Sequence, residues 1–355
     1  MYIKSKCDHL SMNLPKVFII ILNWNGLEDT LECLESVFKM AYPNFKVIVV
    51  DNGSTDKSVV VIQENYPEVI MIENKANLGY TGGNNVAMGY AMQNGADYMW
   101  LLNNDTIVES DTLNKLIAIG ESNAEIGLLS PVIYYCDVKT EIQFCGDYID
   151  WENHSIHRIR DIELWRNKDI KRNLLLWGTA LLIKGFVIEQ VGYLKEEYFA
   201  YCEDAEYCVR VSKSGYAIAL VPRAKVYHKD SRSGGDKRAP LKVYLRTRNI
   251  YLFWMSNLKG VEKLKYFIQF VAHVISYSGA LREMGLNNSA DACFNGAWAA
   301  LRGRVEAWDE NIKAPFMLKK IFSWHPYFWT NLFEANFRYI IAEMFRKARN
   351  SLGIV

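Results

Sequence analysis

No stretch of this 355-residue sequence is apolar for long enough to cross a bilayer. The best candidate, Phe267–Leu281, carries Gln269 and His273 and falls short of the roughly twenty apolar residues that a spanning helix needs. The opening residues Met-Tyr-Ile-Lys-Ser-Lys-Cys-Asp-His lack an apolar core, so no secretory signal is expected. The 7 cysteines (Cys7, Cys33, Cys136, Cys145, Cys202, Cys208, Cys293) are odd in number and follow no metal-ligand spacing. That argues against a disulfide framework and for reduced thiols in a cytosol. There is no nucleic-acid-binding motif, internal repeat or low-complexity tract, so nucleic acid is not an expected partner.

What is present is the composition of a folded chain, 50% hydrophobic and 23% charged. The net charge of +1 conceals an asymmetry: 23 Lys and Arg face 32 Asp and Glu through Asp236, and 18 face 8 from Lys237 onward. A basic, aromatic C-terminal third suits an anionic surface, and a membrane face fits it better than nucleic acid.

The stretch Tyr98–Val108 organises the rest. Tyr98 to Leu102 is too short an apolar run for a helix and suits a strand buried on both faces. It stops at Asn103, Asn104 and Asp105, at the carboxyl end where open α/β sheets bind ligands. One carboxylate with two amides suits a hard divalent cation and a ribose or phosphate; the same residues also suit an Asn-rich turn with Asp105 capping the next helix. Three earlier segments repeat the pattern. Val17–Leu22 ends in Asn23-Trp24-Asn25-Gly26, and Lys46–Val50 ends in Asp51-Asn52-Gly53-Ser54-Thr55-Asp56. Val69–Ile72 leads into a segment from Asn74 to Asn85 that holds Asn77, Gly79, Gly82 and Gly83. Helices are expected over Thr30–Met40 and Val86–Gln93, giving a parallel sheet with right-handed crossovers. Turn chemistry explains each cluster singly, but a glycine-rich entry to a helix also aims N–H groups at an anion, and four such strand ends together point to a nucleotide site.

These residues resemble the family 2 glycosyltransferases over roughly residues 15–235. The resemblance implies a GT-A (Rossmann-like), mostly parallel sheet flanked by helices, with a helical C-terminal extension. It divides the chain into a leader (1–14), a nucleotide-sugar-binding catalytic domain (15–236) and a basic, aromatic region (237–355) facing membrane or partner. It implies that Asn23, Asn25, Asp51, Asn77, Gly79, Gly82, Asn85, Asn103 and Asn104 bind the donor, with Asp51 on a pyrimidine base. Asn103-Asn104-Asp105 stands in for Asp-X-Asp. Asn103 is a poor metal ligand, so Asp105 would be the motif's only carboxylate on the cation.

Further on, Asn114–Ile119 reads as helix and Ile126–Ile133 as extended. Residues 150–172 have no evident placement beyond a loop or β-ribbon, and His154 and His157 there read as surface residues. Leu174–Lys184 reads as one buried strand interrupted at Gly178, where a ligand or backbone approaches closely. Glu203, Asp204 and Glu206 open a helix; acids there complement the helix dipole or include a general base. The resemblance places the base on Asp204, with Glu203 positioning the acceptor. His228 ends a short apolar run as either a satisfied structural histidine or, at the family's late His, a ligand of Mg²⁺ or Mn²⁺ beside Asp105. Ser231–Arg238 reads as a loop able to close over a diphosphate. Tyr327 to Arg349 suits an interfacial amphipathic helix or one packed on a second subunit.

The expected activity is an inverting transfer of a sugar, rhamnose from dTDP-rhamnose first, to a hydroxyl of a glycan or polyprenyl-diphosphate-linked acceptor at the inner face of the cell membrane. A UDP-sugar donor (galactofuranosyl, glucosyl or N-acetylhexosaminyl) is the alternative. A sugar-phosphate nucleotidyltransferase and a non-catalytic nucleotide-sugar scaffold complete the set.

Overall fold

The computed structural model describes residues 14–162, 173–229, 238–304 and 313–315. Outside these fall residues 1–13 of the leader, residues 163–172, most of the Ser231–Arg238 loop and the Tyr327–Arg349 segment. The chain divides into two compact units, one of residues 1–148, 157–194 and 208–230, the other of 149–156, 195–207 and 231–355.

The first unit is built on a nine-stranded sheet. Four strands form its parallel part: β1 (Val17–Asn23), β2 (Phe45–Asp51), β3 (Ile70–Glu73) and β4 (Tyr98–Asn103), in the order β3-β2-β1-β4. Val17 to Ile21 and Met99 to Leu101 are fully buried, as expected of parallel strands covered on both faces. Beyond them the sheet is mixed. β5 (Thr106–Val108), β6 (Ile126–Tyr135), β7 (Ile142–Phe144), β11 (Ala180–Lys184) and β12 (Ala217–His228) complete it. β11 runs antiparallel to both β4 and β6, whereas β12 is parallel to β6 and antiparallel to β5. Its register on β6 slips between Val221 and Lys225, around Pro222, which cannot donate to a ladder.

The helices α1 (Leu27–Phe38), α2 (Ser58–Asn65), α3 (Gly79–Gln93), α4 (Thr112–Ser122) and α5 (Gly185–Val191) connect the strands. α3 begins well before the expected Val86, taking in the glycine-rich segment itself. Its glycines answer to packing: a Cβ on Gly82 would lie 2.8 Å from Leu78 Cβ, and one on Gly83 2.4 Å from Leu22 Cδ1.

The run Leu174–Lys184 is two strands. β10 (Leu174–Leu175) joins β8 (Asp147–Asp150) and β9 (Ser155–Arg158) in a separate three-stranded sheet, and only β11 enters the large one. The expected close approach at Gly178 is a side chain, since a Cβ there would meet the Tyr80 hydroxyl at 2.7 Å. None of the six described cysteines forms a disulfide.

The second unit holds α7 (Pro240–Asn257), α8 (Val261–Glu283) and α9 (Asn287–Leu301), and it includes the start of α6 (Glu203–Lys213). Gly296 lets α9 approach α7, for a Cβ there would lie 2.5 Å from the Tyr244 carbonyl. His154, expected at the surface, is buried: its Nδ1 lies 3.0 Å from Gln269 Oε1 and its Nε2 3.1 Å from Glu262. Both partners lie on α8, far along the chain. No described helix is long and apolar enough to cross a membrane.

Candidate functional site

In the parallel part of the sheet the register sets Asn23 beside Asp51 and Leu22 beside Asn103. The polar strand ends therefore share one edge of the first unit, the carboxyl edge where such sheets bind ligands. Asn23 is fully buried and its amide donates to Asp51 Oδ1 at 2.9 Å. Its Oδ1 accepts from the Thr30 hydroxyl at 2.9 Å, and Asn104 Nδ2 reaches that hydroxyl at 3.0 Å. One continuous chain of hydrogen bonds thus joins the ends of β1, β2 and β4. Asp51 also accepts from the Ser54 backbone N–H at 2.9 Å, and Asn25 Oδ1 accepts from the Thr55 N–H at 2.8 Å.

Asn52, absent from the expected donor set, knits the third cluster. Its Nδ2 donates to Asn77 Oδ1 at 2.9 Å, and its Oδ1 accepts from the Leu78 N–H at 3.1 Å. Asn77 in turn accepts from the Gly79 N–H at 2.8 Å.

The expected donor residues divide by what their side chains do. Asn103 is half-buried; its backbone N–H donates to the Thr179 carbonyl at 2.9 Å, and its side chain makes no hydrogen bond to the described residues. Asn104 is turned inward to Thr30. Asn85 is apart from this network, with both ends of its amide on the Leu194 backbone, at 2.9 and 3.1 Å.

Asp105 does not cap α4, whose N-cap is Asp111. Pairing of His228 with Thr106 across β12 and β5 brings His228 Nε2 to 3.1 Å from Asp105 Oδ1. The backbone closes the same corner, because Lys229 N–H donates to the Asp105 carbonyl at 3.0 Å. Lys229 itself is held by Asp29 and Glu32 of α1, each at 2.7 Å. Burial works to raise the Asp105 carboxyl, but His228 and then Lys229 outweigh it and hold the group below its ordinary value.

A second neighbour sets the histidine. Gln143 Oε1 on β7 lies 2.8 Å from His228 Nδ1. With Nδ1 engaged by Gln143, Nε2 is the ring nitrogen that faces Asp105. Asp105 Oδ1 is buried and otherwise without a donor. A carboxylate oxygen beside an imidazole nitrogen, with the ring fixed from behind, is a donor set suited to a divalent cation. Among the described residues no three His, Cys, Asp or Glu surround such a point. Nothing in the sequence singled out Gln143, a lone polar residue in a short apolar strand.

Glu203 and Asp204 belong to the second unit. Glu203 is buried, and desolvation first, then the charge of Asp204, pushes its carboxyl well above the ordinary range. Burial and the neighbouring charge thus favour its protonated form, which can donate a hydrogen bond. Asp204 Oδ1 accepts from the Ala205 N–H at 2.7 Å.

Residues 18–186 match the family described as Glycosyl transferase family 2. This stretch, just under half of the chain, carries the family's domain. Relatives of the chain include the low-salt glycan biosynthesis hexosyltransferase Agl10 of Haloferax volcanii, 24% identical over 73% of this chain and 82% of that protein. The N-acetylglucosaminyl-diphospho-decaprenol L-rhamnosyltransferase of Mycobacterium tuberculosis is 26% identical over 58% of this chain and 74% of its own length. The dTDP-rhamnosyl transferase RfbF of Shigella flexneri is 22% identical over 68% and 80%. Other relatives are spanned less fully, the chain covering 26%, 56% and 66% of three of them.

Solved structures place the glycosyltransferase in the GT-A fold. The mannosyltransferase PcManGT of Pyrobaculum calidifontis, in complex with GDP-Man and Mn²⁺, superposes with a TM-score of 0.52 at 17% identity over 81% of this chain and 76% of that one. S. aureus TarS 1-349 in complex with UDP-GlcNAc gives 0.54 at 16% identity over 82% of each chain.

Proposed function

We propose that this glycosyltransferase is an inverting, metal-dependent enzyme that moves rhamnose from dTDP-rhamnose to a hydroxyl of a glycan or polyprenyl-diphosphate-linked acceptor. The observation that carries the metal-dependent reading is the buried Asp105–His228 pair at the carboxyl edge of the sheet. Asn25, Asp51, Asn77, Gly79 and Asn103 hold the donor, with Asp51 toward the base. Asn23, Gly82, Asn85 and Asn104 act through the scaffold that positions them.

Asp204 takes the proton of the acceptor hydroxyl, whose oxygen attacks the anomeric carbon opposite the leaving group. The new C–O bond forms as the bond to the nucleoside diphosphate breaks, inverting the centre. Glu203 positions the acceptor. Asp105 and His228 would hold Mg²⁺ or Mn²⁺, which supplies Lewis-acid neutralisation of the charge growing on the diphosphate. In the apo protein their pairing keeps the two donor atoms side by side, His228 Nε2 3.1 Å from Asp105 Oδ1.

The rhamnosyl reading is supported by the names of the M. tuberculosis and S. flexneri relatives and by the Asn103-Asn104-Asp105 variant. The TarS complex supports a UDP-sugar as the second donor. The lipid-linked acceptor and a peripheral place at the membrane rest on the mycobacterial relative's name and on the basic residues after Lys237. The catalytic domain on this reading is 15–236, with 237–355 facing the membrane or a second copy.

A thermal-shift panel of dTDP- and UDP-sugars with and without Mn²⁺ tests this, because specific binding stabilises by mass action. The expected result is a Mn²⁺-dependent shift with dTDP-rhamnose; equal melting with every nucleotide sugar, metal or none, would refute it.

A further inference from the structure

The turn that delivers Asp204 is held in an unusual backbone state. Phe199, Tyr201 and Cys202 adopt φ of 60°, 72° and 67°, and none is glycine. Side chains with a Cβ rarely occupy that region, least of all two aromatics, so the conformation persists only where surroundings enforce it. α6 starts on the next residue, and its first helical bond runs from the Glu206 N–H to the Cys202 carbonyl at 2.9 Å. The turn therefore sets where the helix begins and so where Glu203 and Asp204 stand.

The surroundings are two adjacent residues of α7, both without exposed surface. Asn249 Nδ2 donates to the carbonyls of Tyr198, Ala200 and Tyr201 at 2.7, 2.8 and 2.8 Å. Arg248 Nε donates to Asn249 Oδ1 at 2.8 Å. An arginine only donates, so this bond fixes which end of the amide faces the turn. The Arg248 guanidinium also reaches the Glu197 and Tyr198 carbonyls, at 2.9 and 3.1 Å. Arg246, two residues earlier, lies over the Tyr201 ring at 4.6 Å. A mid-helix Arg-Asn pair that sends five hydrogen bonds to the carbonyls of Glu197, Tyr198, Ala200 and Tyr201 braces that turn.

We propose that Asn249, oriented by Arg248, is a positioning residue for catalysis: it clamps the Tyr198–Cys202 turn in the backbone state that holds Asp204 in register. This rests on Asp204 being the general base. A displacement of about 1 Å in a reacting group costs on the order of a hundredfold in rate.

The test uses the full chain carrying Asn249→Ala, with Asp204→Asn alongside. Turnover is measured with dTDP-rhamnose, or with the nucleotide sugar that raises the melting temperature in the panel above. Expected are a kcat at least about tenfold lower, donor affinity within about twofold of wild type, and faster amide exchange confined to 198–203. Should Asn249→Ala not fold, Asn249→Ser, which keeps one donor, is expected to fold with an intermediate kcat. An unchanged kcat in either variant overturns the proposal, as does parallel loss of donor binding and turnover, the mark of a general scaffold role. If Asp204→Asn is inactive while Asn249→Ala turns over normally, this inference alone fails. If Asp204→Asn is fully active, the reading of Asp204 as the base fails with it.

Discussion

His228 Nε2 lies 3.1 Å from Asp105 Oδ1, one at the end of β12 and the other just past β4. Gln143 stands behind the ring and fixes which nitrogen faces the carboxylate. Partners of this kind typically tune metal affinity by about 10–100-fold. Gln143→Ala is therefore expected to raise the Mn²⁺ concentration for half-maximal transfer by that factor, and His228→Ala to raise it further. Metal titrations that superpose on wild type would remove both residues from the cation.

Asn23 braces the donor edge by serving Asp51 and Thr30 at once. Replacing it with alanine takes a partner from the buried Asp51 carboxylate and from the buried Gly26 N–H, while Thr30 keeps the Gly26 carbonyl at 2.8 Å. A loss of about 1–3 kcal/mol in urea unfolding is expected, since an orphaned buried polar group costs about that much. Stability equal to wild type would mean that water or neighbours fill the gap and that the brace is redundant.

Glu203 gives a pH dependence with a definite sign. Its carboxyl sits well above the ordinary 4.5 in the folded chain, because burial and the Asp204 charge disfavour ionisation. Above 4.5 the unfolded chain has released this proton and the folded chain has not, so stability falls as pH rises toward the folded value. Glu203→Gln removes the penalty. The variant is expected to melt higher than wild type at pH 8, with the gap closing as pH falls toward 4.5. A gap that stays constant with pH would show that Glu203 is not held neutral.

The strand ends were legible in the sequence because parallel strands covered on both faces read as unbroken apolar runs that stop at their ligand edge. Asp51, Asp105 and the Asn23 cluster stood out for that reason. The glycines near α3 were not legible as helix: Gly82 and Gly83 make room for Leu78 and Leu22, and spacing alone does not separate that from a phosphate loop. Leu174–Lys184 looked like one strand because nothing local marks a change of sheet. Gln143 and the buried His154 owe their roles to partners distant in sequence, His228 for one and α8 for the other. The Arg248-Asn249 clamp was hidden likewise, its meaning residing in a backbone state that no residue type announces.

The most direct measurement compares Asp204→Asn with wild type in two assays, donor binding by thermal shift and sugar transfer at saturating donor and Mn²⁺. Removing a general base costs about 10²–10⁴-fold in rate and leaves ground-state binding in place. The account predicts an undiminished thermal shift with transfer reduced by that factor. Transfer at the wild-type rate would contradict it.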